Sequence, residues 1–147
     1  MKIRKFEKED FPVLCKIHDP ARKQELHSAK LDDAFIPLEQ AAINEDLFSY
    51  QIYVAEINDK VVGFVAFTED ELAWLYVSPQ MQHQGIGSKL IDFALEHTKR
   101  PLYLEVLSGN PAEKLYQHKG FKVEKHESGQ MPGNEKFHVE VDLMVYE

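Results

Sequence analysis

The fold is decided by one stretch, Leu72-Ala-Trp-Leu-Tyr-Val-Ser-Pro-Gln-Met-Gln-His-Gln-Gly-Ile-Gly-Ser-Lys-Leu90. Its first six residues, Leu72 to Val77, are apolar on both faces, which predicts a strand deep inside a sheet. Proline cannot continue a central strand, so the strand should end at Ser78-Pro79. From Leu90 onward, apolar residues recur at helical spacing, which predicts a helix from about Gly85 to Lys99.

The loop between this strand and this helix has the character of an anion-binding turn. The first amides of a helix have no partners within the helix, and the helix dipole places partial positive charge there. Gly85 and Gly87 would let the backbone approach a bulky anion with no Cβ in the way. A phosphate or pyrophosphate suits this loop, although a glycine-containing turn without any ligand could have the same sequence.

Two common phosphate-binding motifs do not match the loop. A dinucleotide fingerprint needs a third glycine where the chain has Leu90, and a Walker A loop needs Gly-Lys-Ser/Thr where it has Gly87-Ser88-Lys89. The sequence from Gln82 to Gly87 instead resembles the acetyl-CoA motif of the GNAT superfamily of N-acetyltransferases, Arg/Gln-x-x-Gly-x-Gly/Ala. In that family the motif also lies between the fourth strand and the third helix.

A second segment resembles the same family. The segment Asn110-Pro-Ala-Glu-Lys-Leu-Tyr116-Gln-His-Lys-Gly120-Phe121 is similar to the family's other hallmark, in which an asparagine precedes a tyrosine and a Gly-Phe pair. Its local pattern predicts a short helix over Ala112 to Lys119, with Asn110 as the N-cap and Gly120 just past the end. The two motifs extend the resemblance over roughly Lys2 to Tyr146.

The resemblance implies an α/β fold of the α+β type, built on a mixed, twisted sheet of about seven strands with helices on both faces. The fourth and fifth strands, here Leu72 to Val77 and Leu102 to Leu107, would splay apart and hold the pantetheine arm of acetyl-CoA. The residues expected to bind this co-substrate are Leu75, Tyr76, Val77, Gln82, His83, Gln84, Gly85, Ile86, Gly87, Ser88, Asn110 and Tyr116.

The remaining elements follow from hydrophobic pattern and turn residues. Strands are predicted at Lys2 to Phe6, Tyr50 to Ile57, Val61 to Phe67, Phe121 to Glu124 and Phe137 to Val145, with a hairpin turn at Asn58-Asp59-Lys60 and a loop over Ser128 to Asn134. Helices are predicted after Glu7 to Asp10 and over Ala21 to Leu31 and Leu38 to Phe48. The charges of the last two helices are typical of a solvated face, but in the resembled family this segment usually walls the acceptor pocket.

Composition narrows the class of protein. A length of 147 residues predicts a single domain over 1–147, and the formal net charge of −8 argues against nucleic-acid binding. No apolar run is long enough for a membrane span or a signal peptide, so we expect a soluble, cytoplasmic protein that binds no membrane.

The seven histidines and one cysteine show no metal-ligand spacing, which predicts no metal site. Cys15 falls on an apolar helix stripe with Phe11 and Leu14, which favours core packing over a nucleophilic role.

The chemistry of acetyl transfer to an amine needs a base and a proton for the departing thiolate. Tyr116 is the expected acid, because a phenol has a pKa of about 10, close to that of a thiol. The alternative is a core aromatic on a short helix. Glu71 is the expected base, since its spacing to Gln82 resembles that of the glutamate base in the histone-acetylating branch. It also lies in the acidic run Glu69-Asp70-Glu71, typical of a solvated turn, and Glu105 is the rival base.

The resemblance therefore implies an N-acetyltransferase that transfers the acetyl group of acetyl-CoA directly to a primary amine in a ternary complex. A non-catalytic acyl-CoA-binding or sensor domain is the alternative. The acceptor could be a small-molecule amine or a peptide or protein amine, and the sequence does not decide between them. A homodimer is compatible with this interpretation.

Overall fold

Seven strands form two antiparallel sheets in the structure, a computed structural model that describes residues 1–147. The strands are β1 (Lys2–Lys5), β2 (Gln51–Ile57), β3 (Lys60–Phe67), β4 (Leu72–Val77), β5 (Leu102–Leu107), β6 (Lys122–Met131) and β7 (Asn134–Tyr146). Their order is β1-β2-β3-β4 in one sheet and β5-β7-β6 in the other. The predicted turn at Asn58-Asp59 joins β2 to β3, and both of its residues have a positive φ, as a two-residue hairpin turn requires.

The two sheets meet where β4 and β5 begin. A single parallel bridge joins Glu71 to Tyr103, and the amide of Tyr103 donates to the carbonyl of Asp70 at 2.9 Å. No further ladder connects the two strands, so they diverge toward their C-terminal ends. The predicted splay of the fourth and fifth strands is confirmed, and the mixed sheet consists of two antiparallel sheets joined by this one parallel bridge.

Four helices cover both faces of the sheets. They are α1 (Phe11–Ser28), α2 (Leu38–Asn44), α3 (Ile86–Glu96) and α4 (Ala112–Lys119). The core residues of α1 and α2 pack with Phe64 and Trp74 on one face. Those of α3 and α4 pack with Phe67 and Leu102 on the other. The helices therefore lie on both faces, as predicted, and the gap between β4 and β5 opens toward both helical layers.

The first half of the chain contains one long helix where the sequence predicted two. α1 continues through Pro20, which lies on the exposed side, while the buried positions Leu14, Ile17 and Ala21 stay in helical register across it. Packing of this stripe outweighs the hydrogen bond that proline removes. The helix predicted up to Phe48 instead ends at Asn44, because Asp46 adopts a left-handed conformation with φ of 53°.

The last two strands are longer than predicted. β6 runs on to Met131 and β7 starts at Asn134, so the predicted loop over Ser128 to Asn134 shrinks to a tight turn at Pro132-Gly133. Nearly every residue of β6 is exposed, so it lacks the alternation of apolar and polar residues that marks a half-buried strand. Pairing with β7 stabilises this strand instead.

Candidate active site

A groove of about 580 Å³ lies between the N-terminus of α3, the N-terminus of α4 and the C-terminal half of β4. None of the six consecutive backbone amides from His83 to Ser88 donates a hydrogen bond within the chain. The next amide, that of Lys89, donates to the carbonyl of Gly85. Unpaired amides at a helix N-terminus are donors for a phosphate group. The groove therefore has the donors that a pyrophosphate needs.

The predicted cofactor-binding residues converge on this groove. Those that line it are Leu75, Tyr76, Val77, Gln82, His83, Gly85, Ile86, Gly87, Ser88 and Asn110. Two do not: the side chain of Gln84 is exposed outside the groove, and Tyr116 lies in the neighbouring cavity. Gln82 closes the end of β4, because its side-chain amide donates to the carbonyl of Val77 at 3.3 Å and to Gln24 at 3.0 Å.

The two glycines of the loop have different roles. Gly85 has a φ of 83°, a left-handed conformation that disfavours any side chain. Gly87 already lies in the first turn of α3, and a Cβ there would contact Leu115 at 3.6 Å and Val77 at 3.8 Å, which are ordinary distances. Only Gly85 is required by the backbone conformation; a side chain at Gly87 would narrow the groove between α3 and α4.

A second cavity of about 230 Å³ adjoins the groove on the side of α1 and α2. Its wall includes four carboxylates, those of Glu25, Glu45, Glu71 and Glu105, and one guanidinium, that of Arg22. The two spaces share part of their lining, including Glu25, Leu75, Tyr76 and Asn110. The groove and the cavity therefore adjoin at these residues.

Glu71 lines this cavity because of a β-bulge that the sequence pattern did not predict. Simple alternation predicted that Glu71 would share a face with Ala73, Leu75 and Val77. A bulge at Ala73 shifts the register, since Ala66 pairs with Trp74 and Phe67 with Leu72. The side chain of Glu71 consequently faces the layer of Tyr50, whose hydroxyl donates to it at 3.2 Å, and away from the face that Leu75 and Val77 share.

Tyr116 is a buried aromatic residue whose hydroxyl remains accessible. Its ring packs against Phe121 with centroids 5.8 Å apart, and the residue is only 7% exposed. Its hydroxyl makes no hydrogen bond within the chain and is not sealed off, so its free end faces the cavity. Burial, followed by the charge of Glu25, raises the pKa of Tyr116 well above its usual value. The hydroxyl therefore stays protonated at neutral pH and can donate a proton or a hydrogen bond.

Glu25 is the residue at this site that the sequence did not reveal. One of its oxygens accepts a hydrogen bond from the side chain of Asn110 at 2.6 Å, and the other pairs with Arg22 at 3.3 Å. Asn110 also accepts a bond from the amide of Ala112 at 2.9 Å, as an N-cap does. Glu25 thus fastens α1 to the start of α4 at the junction of groove and cavity. Its spacing from Arg22 on one helix face was the only signal in the sequence.

The other sequence predictions concern positions outside the site. Cys15 is only partly buried, packs beside the core cluster under α1 and lines neither space, and burial raises the pKa of its thiol. No cluster of three or more His, Cys, Asp or Glu side chains has the arrangement of a metal site. None of the helices is both long and apolar enough to cross a membrane.

Comparison with known proteins agrees with this geometry. The family described as the acetyltransferase (GNAT) domain matches residues 48–123, slightly more than half of the chain. The uncharacterised N-acetyltransferase YafP of Escherichia coli (strain K12) is 25% identical over 130 residues, which cover 86% of this chain and 85% of YafP.

Solved structures share the whole fold. A GCN5-related N-acetyltransferase structure from Rhodopseudomonas palustris superimposes with a TM-score of 0.80 at 19% identity, over 99% of this chain and 94% of that chain. The structure of yncA from Salmonella typhimurium, solved with its cofactor acetyl-CoA, gives a TM-score of 0.72 at 22% identity, over 100% of this chain and 93% of that chain. With the family match, the splayed strands and the amide-lined groove, the conclusion is that this chain belongs to the GNAT family of acetyltransferases.

Proposed function

We propose that the protein transfers the acetyl group of acetyl-CoA to a primary amine by direct attack in a ternary complex. The observation that carries this proposal is the junction of groove and cavity, where Tyr76, Glu25 and Asn110 line both spaces. A thioester that entered from the groove would reach an amine in the cavity without a covalent enzyme intermediate. In this reaction the amine nitrogen bonds to the acetyl carbon, the carbon–sulfur bond breaks, and the sulfur takes up a proton.

The groove supports acetyl-CoA as the co-substrate, because it offers a site for the pyrophosphate at one end and for the thioester at the other. The free amides of His83 to Ser88 would hold the pyrophosphate, as backbone donors at a helix N-terminus do. The diverging edges of β4 and β5 would flank the pantetheine arm, in the manner of an added strand. In this arrangement the thioester would lie beside Asn110, which lines both the groove and the cavity.

Tyr116 is the proposed acid. Its hydroxyl has no hydrogen-bond partner in the chain, faces the cavity and carries its proton at neutral pH, and burial raises the pKa of Tyr116 further above that of a thiol. A positioned acid of this kind can protonate the sulfur as the carbon–sulfur bond breaks.

Glu71 is the proposed base, acting directly or through a water molecule. Its carboxylate is held by the hydroxyl of Tyr50 and lines the cavity in which the amine would bind. Glu105 also lines this cavity and is the rival base. Burial raises the pKa of Glu105, and the charges of Glu127 and Glu71 raise it further. Glu105 is therefore more basic than an ordinary carboxylate.

The proposed activity predicts that free CoA thiol appears when acetyl-CoA and a primary amine are supplied together, and not with either alone. The measurement is thiol release over a panel of small amines and short peptides, with mass spectrometry of the acetylated acceptor. Tight binding of acetyl-CoA with no turnover of any acceptor would identify a binding module instead of an enzyme.

Replacing Glu71 by Gln is expected to lower kcat/KM most for strongly basic amines and least for weakly basic ones, which are already neutral at assay pH. Glutamine keeps the size and the acceptor for Tyr50 but cannot take a proton. In the wild type, kcat/KM should rise with pH until the groups that must lose a proton have done so.

The measurement is a set of pH–rate profiles of wild type, Glu71→Gln and Glu105→Gln with two amines of different basicity. Equal, small and pH-independent losses in Glu71→Gln would show that Glu71 is not the base. A loss confined to Glu105→Gln would move the role to the neighbouring strand.

A further inference from the structure

The cavity beside the groove contains more negative charge than the proposed reaction uses. Of its four carboxylates, only Glu25 has a cationic partner, Arg22, which approaches it to 3.3 Å. The other titratable cation of the wall, His18, is kept neutral because burial lowers its pKa. With four carboxylates and one guanidinium, the wall carries a formal charge of −3.

The three remaining carboxylates, those of Glu45, Glu71 and Glu105, belong to none of the ion pairs of the chain. Desolvation at the cavity wall raises the pKa of Glu45, although the residue as a whole is exposed; the charge of Arg22 lowers this pKa, and the charges of Glu105 and Glu71 raise it. These carboxylates therefore repel one another across a shared space. A cation between them would relieve that repulsion.

A second observation shows that the same cavity is built to receive a polar ligand. Tyr116 is more than nine-tenths buried, yet its hydroxyl has no partner in the chain and faces into this space. The hydroxyl is the accessible polar end of this otherwise buried side chain, so a polar group of a ligand in the cavity can form a hydrogen bond with it. The wall also contains apolar side chains, among them Ile36 and Trp74, against which methylene groups could pack.

We propose that the acceptor carries a second cationic group besides the amine that is acetylated. The reacting nitrogen would lie near Tyr116 and Glu71, and the second cation would lie between Glu45 and Glu105. This inference rests on the proposed function, because it assigns the cavity to the acceptor. The second cation keeps its charge throughout the reaction, so its contacts with the carboxylates contribute to binding and leave the chemical step unchanged.

The test compares two amines with the same carbon chain, the diamine cadaverine and the monoamine pentylamine, by thiol release with acetyl-CoA. We expect kcat/KM for cadaverine to exceed that for pentylamine by about tenfold or more, with the difference in KM. Glu45→Gln should reduce this ratio about tenfold, because it removes one partner of the second cation. Glu39→Gln is the matched control, since Glu39 is an exposed carboxylate of α2, the helix that ends at Asn44 just before Glu45, and it lines neither space.

Equal use of the two amines by the wild type would overturn the proposal, as would an unchanged ratio in Glu45→Gln. Calorimetry of cadaverine binding to the CoA-saturated protein provides a readout that does not depend on turnover. If neither amine is acetylated but cadaverine binds, and binds about tenfold more weakly to Glu45→Gln, the cation site stands and the proposed reaction fails. Absence of cadaverine binding would reject the cation site by itself.

Discussion

The variant Tyr116→Phe is expected to lower kcat by about 10² to 10⁴, the usual effect of losing a positioned general acid. The affinity for acetyl-CoA should hardly change, because the ring keeps its edge contact with Phe121 and only the hydroxyl is removed. Since burial raises the pKa of Tyr116, the wild-type rate should show no fall from ionisation of this phenol up to its ordinary value near 10.

Steady-state thiol release and calorimetry of acetyl-CoA binding separate these two expectations. Tyr103→Phe is the matched control, because Tyr103 is a surface tyrosine of β5 that lines neither the groove nor the cavity. Turnover close to that of wild type in Tyr116→Phe would leave Tyr116 as a packing residue. A parallel loss of kcat and of CoA affinity would indicate a disturbed groove instead of a lost proton donor.

The variant Gly87→Val is expected to weaken the binding of CoA by roughly 10²-fold or more while the protein stays folded. The new side chain would lie between Leu115 and Val77 and fill the groove where the amides of α3 would meet the pyrophosphate. Loss of two charge-assisted hydrogen bonds, each worth about 1.5–3 kcal/mol, accounts for an effect of this size.

Calorimetry with CoA tests this expectation, and thermal unfolding establishes that the variant is folded. Gly129→Val makes the same replacement on the exposed strand β6, where an added Cβ contacts nothing within 4 Å, so it should bind CoA like the wild type. Unchanged affinity in a folded Gly87→Val protein would mean that CoA does not use this groove.

The parts of the site that the sequence predicted are those whose geometry is local. The loop from Gln82 to Ser88 and the segment from Asn110 to Gly120 each form their local structure within one turn and one helix start. Gly85 and Gly120 both have a positive φ, which glycine adopts more easily than other residues. At these positions the residue type therefore predicts the local backbone conformation. Such signals do not depend on the rest of the chain.

The parts that the sequence did not predict depend on distant contacts. Glu25 matters because it bonds to Asn110, 85 residues further along the chain, and nothing near Glu25 marks that partnership. The face of Glu71 depends on a bulge at Ala73, which shifts the pairing with β3 by one residue. The length of strand β6 depends on its pairing with β7. Helix α1 continues past Pro20 because its buried stripe packs on the sheet.

The single bridge between Glu71 and Tyr103 gives the molecule a pivot. The two sheets are fastened to each other at this end of β4 and β5, whereas the opposite ends of the strands lie apart. If the sheets rotate slightly against each other, the far ends of the strands move most and the residues at the bridge move least. Such a rotation would widen the gap between β4 and β5 at their far ends and would leave the backbone of Glu71 nearly in place. The proposed base therefore lies at the point of the site that is least disturbed when a ligand enters or leaves.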